Sequence, residues 1–355
     1  MENNLKDSIQ SYLVQEQLNQ QLPEAISAGN IPLIQELLEQ GANPNYKGED
    51  DCTLVNIVYT PPAYQIPVLQ LLLKYGANPN YCLGDAFIDS TGCLLNRFWT
   101  TTPNKEEIAA VLQKAGALMP IPFPMETVSA YSRGKRNPDK INNAFYQYAI
   151  TSGESAYQLK TTIRQQEKRQ FSKQERKRKK KLRQLGMEQT VPDKIWNYHR
   201  FGNSKTLLPD GSLVLIGGEH EDYYDEDFCI FNDVVKINTD GTMELYFYSE
   251  KVFPPTDFHT ATLVGNTIYI VGGLGYKGQR IMDQTPVFAL DLTNFTIKSI
   301  STKGDKPGWI YKHRAFLDAA QESIILFGGK YCGESGNNEA VFGLDLKKQR
   351  WINYK

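Results

Sequence analysis

The sequence has no long apolar run, few histidines and no closely paired cysteines. None of its apolar stretches approaches the ~18 residues that span a bilayer, so no transmembrane helix is expected. The first residues, Met1-Glu2-Asn3-Asn4-Leu5-Lys6, contain no basic segment leading into an apolar one, which argues against a secretory signal. The five cysteines (Cys52, Cys82, Cys93, Cys229, Cys332) are odd in number and scattered, with no Cys-x-x-Cys. That pattern predicts neither a disulfide framework nor a zinc ribbon, and suits a reducing cytosol. Local signatures of catalysis are missing too. There is no Gly-x-Ser-x-Gly elbow, no P-loop and no His-Glu-x-x-His. A non-enzymatic protein without a cofactor is the expectation.

Net charge is also nearly absent, at −1 over 355 residues. The balance conceals an uneven distribution. Between Arg164 and Arg183 there are 11 Lys/Arg against 2 Asp/Glu, a local +9, so the rest of the chain carries −10. The densest part is Arg176, Lys177, Arg178, Lys179, Lys180, Lys181 and Arg183, broken by Leu182. A solvated helix between domains accounts for it. Phosphate binding is the rival reading, which would make the protein nucleic-acid-associated, and nuclear targeting a third if the cell has a nucleus. No aromatic residue interleaves the run, which weakens base-selective binding.

What is present is repetition. Gly41-Ala42-Asn43-Pro44-Asn45-Tyr46 recurs as Gly76-Ala77-Asn78-Pro79-Asn80-Tyr81, and is cut short at Gly116-Ala117. A helical apolar pattern precedes each glycine: Ile31 to Leu38, Val68 to Leu73, and Ile108 to Leu112. Glycine then supplies the left-handed conformation that ends a helix. This resembles the ankyrin repeat over about residues 20–119, with Asn56 and Asn96 where that family has histidine. The resemblance implies an α-solenoid, stacked because one unit cannot bury its own apolar face. Leu5, Ile9, Tyr12 and Leu13 read as a capping helix. Turn tips carry function in such arrays, so Tyr46 and Tyr81 are candidate partner-binding residues.

Pro120, Pro122 and Pro124 close this domain. Residues 120–190 read as a helical, basic linker, with a helix starting at Asn137-Pro138-Asp139 and another from Glu154.

Residues 191–355 change to strand chemistry. An apolar strand ending in Gly-Gly occurs three times, at Gly217-Gly218, Gly272-Gly273 and Gly328-Gly329. A second strand follows each copy, and His199, His259 and His313 precede them. Trp196-Asn197-Tyr198 echoes Trp351-Ile352-Asn353-Tyr354, as though an extra outer strand precedes the first copy. These features resemble kelch repeats, each one four-stranded blade of a β-propeller. Three blades fall short of the usual four to eight, so a homodimer completing a six-bladed ring, or a partner covering the open edge, is expected. The three histidines could ring the axis and hold a metal; bonding between blades is the stronger reading.

Glu219-His220-Glu221-Asp222-Tyr223-Tyr224-Asp225-Glu226-Asp227 places six carboxylates in nine residues, without the glycine of a calcium loop. It reads as a solvated acidic loop, or more sharply as one that attracts a basic partner or folds back on the basic stretch at 176–183, with Tyr223, Tyr224, Asp225 and Glu226 as candidate contact residues. Gly273-x-Gly275-x-x-Gly278 matches a dinucleotide fingerprint but lacks the following helix. The overall expectation is a multidomain α + β protein: an ankyrin solenoid, a basic linker and a partial kelch propeller. Its expected role is that of a cytoplasmic adaptor that binds proteins through both repeat surfaces. A sugar-binding or sugar-processing propeller is the remaining alternative.

Overall fold

Two compact units emerge from the chain: Met1–Tyr131 with Asn143–His199, and Ser132–Asn142 with Arg200–Lys355. The computed structural model describes residues 2–47, 53–84, 103–172, 174, 175, 177, 178, 181, 191, 192, 194–222, 225–318, 320, 322–332 and 337–354. No described helix is long and apolar enough to cross a membrane.

The first unit is helical. Helix α1 (Glu2–Ser27) runs unbroken through the expected cap and on past Pro23. Helices α2 (Ile31–Glu39), α3 (Pro62–Lys74) and α4 (Lys105–Lys114) follow, with a 3₁₀ segment at Thr53–Tyr59. Their buried faces form one core, including Leu22, Ile34, Leu54, Val68, Leu72 and Ile108. The three helix ends are built alike. Gly41, Gly76 and Gly116 have φ of 98°, 89° and 81°. At each, the next alanine donates back five residues (Ala42 to Leu37, Ala77 to Leu72, Ala117 to Leu112), which gives paired hydrogen bonds over the last turn.

Asparagines tie one helix end to the next. Asn45 Nδ2 donates to Gly76 O at 2.9 Å, and its Oδ1 accepts from Asn78 N at 2.6 Å. Asn80 repeats this, donating to Gly116 O at 3.0 Å and accepting from Leu118 N at 2.8 Å. Asn19 accepts from Asn43 N at 2.7 Å and ties α1 into the series. All three asparagines are buried. Cys82, also buried, is disulfide-bonded, while Cys229 and Cys332 are free. A single bond of this kind is not a disulfide framework, and scattered cysteine spacing does not reveal it.

The expected helix at Asn137 is instead the start of a strand. The true N-cap is Asn143, whose side chain accepts from Phe145 N and opens α5 (Ala144–Ser152). Gly153 ends α5 in the left-handed region, and a Ser155–Gln158 capping box opens α6 (Ala156–Gln170). Residues 137–141 join the second unit. Asn137 donates to Ile297 O and accepts from Ile297 N, both at 2.8 Å, so its amide imitates a strand partner. Asp139 caps the backbone N–H groups of Lys135 and Arg136, and Asp139–Ile141 (β1) pairs with the strand Met243–Phe247.

The second unit is three antiparallel sheets in sequence. Blade I holds β2 (Ser204–Leu207), β3 (Leu213–Ile216), β6 (Val234–Ile237) and β7 (Met243–Phe247), extended by β1. Blade II holds β8 (Thr260–Val264), β9 (Thr267–Val271), β10 (Val287–Asp291) and β11 (Ile297–Ser299). Blade III holds β14 (Arg314–Asp318), β15 (Ser323–Phe327), β17 (Val341–Asp345) and β18 (Arg350–Tyr354), extended by the short parallel β12 (Lys303–Gly304). The fifth strand of blade I is therefore 139–141, and Trp196-Asn197-Tyr198 lies in no strand.

Apolar seams hold the blades together. Val214, Ile216 and Tyr246 of blade I meet Ile268, Ile270 and Leu290 of blade II. Tyr269, Val271 and Val287 of blade II meet Ile324, Leu326 and Trp351 of blade III. The paired glycines belong to these seams. Gly217 and Gly272 have φ of 57° and 69°, and a Cβ on either would lie 2.4 or 2.5 Å from a carbonyl oxygen of the following blade, Thr256 or Ile310. The second glycine of each pair donates to that same oxygen at 2.9 Å.

Candidate protein-interaction site

The histidines at the seams act between blades. His259 Nε2 lies 2.8 Å from Ser204 Oγ of blade I, and His313 Nε2 lies 2.9 Å from Thr260 Oγ1 of blade II. Burial pushes both imidazoles down to about 3, so they are neutral at physiological pH. Blade I carries Asn203 at the matching position, not His199, because Asn203-Ser204 aligns with His259-Thr260 and His313-Arg314. Asn203 is buried, and neither atom of its side-chain amide is bonded, as no blade precedes it among the described residues. Among the described residues no group of three or more His, Cys, Asp or Glu is gathered for a metal. The expected equivalence of His199 fails because Gly-Gly spacing, and not the next histidine upstream, fixes the register.

The acidic segment is a hairpin, not an open loop. Strands β4 (Glu219–Asp222) and β5 (Asp225–Ile230) follow directly from Gly217-Gly218. Arg133 fixes the hairpin base, donating to Ile230 O at 3.0 Å and Asn232 Oδ1 at 3.1 Å, while pairing with Glu250. The Tyr276 hydroxyl accepts from Ile230 N at 2.9 Å, and its ring meets Phe228 edge-on.

Beside the hairpin runs the loop that follows Gly273. Asp257 accepts from Gly275 N at 2.6 Å. Arg280 donates to Leu274 O and Gly275 O, and Trp309 Nε1 donates to Leu274 O. A 3₁₀ turn at Lys277–Gln279 replaces the helix that a dinucleotide site needs. The Asp257 carboxyl is fully buried, which raises its pKa, opposed by Gly275 N–H, a hydrogen bond with Glu219 and the Arg280 charge.

The same loops carry exposed apolar side chains. Phe228, Ile281 and Met282 are 46%, 52% and 52% exposed. They are three of the four large apolar residues exposed among the described residues of the β unit; the fourth is Ile352. Aromatic and methionine side chains left in water beside a carboxylate-rich hairpin suit a protein partner with apolar anchors and basic neighbours.

The residues singled out from sequence fall unevenly. The Tyr46 hydroxyl donates to Glu16 at 2.9 Å, and Tyr81 packs on the helical core, so each is partly committed within its own unit. Tyr223 and Tyr224, and the side chains of Asp225 and Glu226, lie outside the described residues. So do Arg176, Lys179, Lys180 and Arg183 of the basic run, whereas Lys177, Arg178 and Lys181 are helical and exposed. Sequence reasoning missed Phe228, Ile281 and Met282, since exposure of an apolar residue has no sequence signal. It also missed Arg200, buried and bidentate to Asp233 at 2.5 and 2.9 Å, with its guanidinium 3.8 Å from the Phe231 ring centre.

Residues 192–355 match the family described as the KLHDC2/KLHL20/DRC7 Kelch-repeats domain. The C-terminal region is thus all-β and made of kelch repeats, and its ring is not closed. Kelch domains commonly bind proteins. No curated protein matches the chain.

Proposed function

We propose that this protein is a non-catalytic interaction adaptor whose kelch blades bind a partner protein at the loop end formed by the acidic hairpin and residues 274–284. The carrying observation is the concentration of exposed Phe228, Ile281 and Met282 on loops fixed by Arg133, Tyr276, Arg280 and Trp309. Rigid support with apolar tips is what a recognition surface requires, because little ordering entropy is then lost on binding. The six carboxylates of 219–227 favour a basic partner. We read the helical unit as an ankyrin-type stack. The repeated glycine caps and the Asn45 and Asn80 clamps support that reading, and the stack provides a second binding face. The test is capture of proteins by the full chain and by a Phe228→Ser/Ile281→Ser/Met282→Ser variant. Partners lost from the variant support the reading; an unchanged set refutes it.

A further inference from the structure

Residues 164–183 of the helical unit hold 11 Lys/Arg against 2 Asp/Glu. The two acids are committed. Glu167 is buried. Glu175 Oε2 accepts from Ser172 N at 2.8 Å and Ser172 Oγ accepts from Glu175 N, a second capping box that restarts the helix after Phe171. The cations stand in water. Arg164, Lys168 and Arg169 of α6, and Lys177, Arg178 and Lys181 beyond it, are exposed. Among the described residues none of these six is in an ion pair.

Their placement on the helices is ordered. The buried side of α6 is Ala156, Leu159, Ile163 and Glu167. Tyr157, Arg164 and Lys168 follow one another at seven and four residues. These spacings fall within about 20° of whole turns, so the three share one line along a different side, roughly 16 Å long. Tyr157 is 52% exposed. Past Phe171, Lys177 and Lys181 repeat the four-residue spacing of Arg164 and Lys168, with cations about 6 Å apart along the axis.

We propose that α6 and the basic helix after it bind single-stranded nucleic acid, the cations on successive phosphates and the Tyr157 ring against a base. Two observations select this partner. An open aromatic ring in line with unpaired cations is the pairing that single strands require, because their phosphates repeat and their base faces are free. A lipid surface fits poorly. A helix that lies in a membrane keeps an apolar side for it, whereas α6 turns its apolar side into the unit, and Tyr157 is its one large exposed apolar residue. The contacts are to phosphates and a base face, so binding does not select sequence.

The experiment is fluorescence anisotropy of labelled oligothymidylate with the full chain, at ~50 to ~200 mM salt. Six phosphate contacts give log affinity against log salt a slope of about −4, a loss of a few hundredfold over that range. Arg164→Glu/Lys168→Glu should bind at least tenfold more weakly with a shallower slope, and Lys177→Gln/Arg178→Gln/Lys181→Gln should also flatten it. Tyr157→Ala should weaken binding about tenfold and leave the slope unchanged, because it removes stacking and no charge, and Tyr157→Phe should bind as the protein does. All these positions are exposed, and unchanged thermal unfolding shows that each variant is folded. Phe228→Ser/Ile281→Ser/Met282→Ser should bind the oligonucleotide unchanged, so this proposal and the loop-end reading can fail separately. No binding at ~50 mM salt overturns the proposal, as do charge variants that bind with full affinity and slope, a Tyr157→Ala variant that binds as tightly as the protein, or anionic-lipid vesicles bound more tightly than the oligonucleotide.

Discussion

Acidification should loosen the blades through two histidines. In the unfolded chain both titrate near ~6.5. In the fold, desolvation holds His259 and His313 down to about 3, with His259 adding to the effect on His313. Each folded pKa is depressed, so the stabilisation is complete above ~6.5 and is lost as pH falls toward 3. At pH 5 the unfolded state has gained a proton on each that the fold refuses. One pKa unit is about 1.4 kcal/mol, so each histidine costs about 2 kcal/mol there, and the pair about 4 kcal/mol. A domain with 5–15 kcal/mol in total would lose a large share. Urea unfolding between pH 7.5 and 5, followed by the fluorescence of buried Trp351, measures the loss. His313→Gln keeps a hydrogen-bonding side chain beside Thr260 but does not titrate, so it should remove about half the pH slope. A midpoint that does not move with pH, or a variant that keeps the full slope, refutes the reasoning.

Three further outcomes follow from named contacts. Asn45→Leu strands Gly76 O and Asn78 N, and should destabilise the helical unit by about 3 kcal/mol in chemical unfolding, with Asn80→Leu similar. Arg200→Met leaves the buried Asp233 carboxylate unpaired and should cost about 3–5 kcal/mol, whereas Arg200→Met with Asp233→Leu recovers most of it; a double-mutant cycle reads the difference. Gly217→Ala drives a methyl into Thr256 O and should lower the melting temperature well below that of Gly328→Ala, which meets open space and carries only the positive-φ strain of about 1–2 kcal/mol.

Repetition made much of this legible in the sequence. The Gly-Ala-Asn-Pro-Asn turns and the Gly-Gly pairs are spaced by the fold, so counting residues located the helix ends and the inner strands. Local rules failed where distant backbone competes. Asn137-Pro138-Asp139 reads as a helix start, yet the open edge of β7 and the backbone of Ile297 recruit it as strand. The acidic run looks like a solvated loop, yet Arg133, nearly a hundred residues away, pins it as a hairpin. The candidate site was illegible because solvent exposure of Phe228, Ile281 and Met282 depends on which loops gather, and apolar residues in sequence read as core.

The proposed recognition of a protein at the loop end of the kelch blades is open to one decisive comparison. The most direct measurement is nuclease-treated capture by the full chain beside the Phe228→Ser/Ile281→Ser/Met282→Ser variant, with bound proteins identified by mass spectrometry. The expected result is a defined set that survives nuclease on the native chain and is lost from the variant. A set that vanishes with nuclease, or that the variant retains in full, contradicts it.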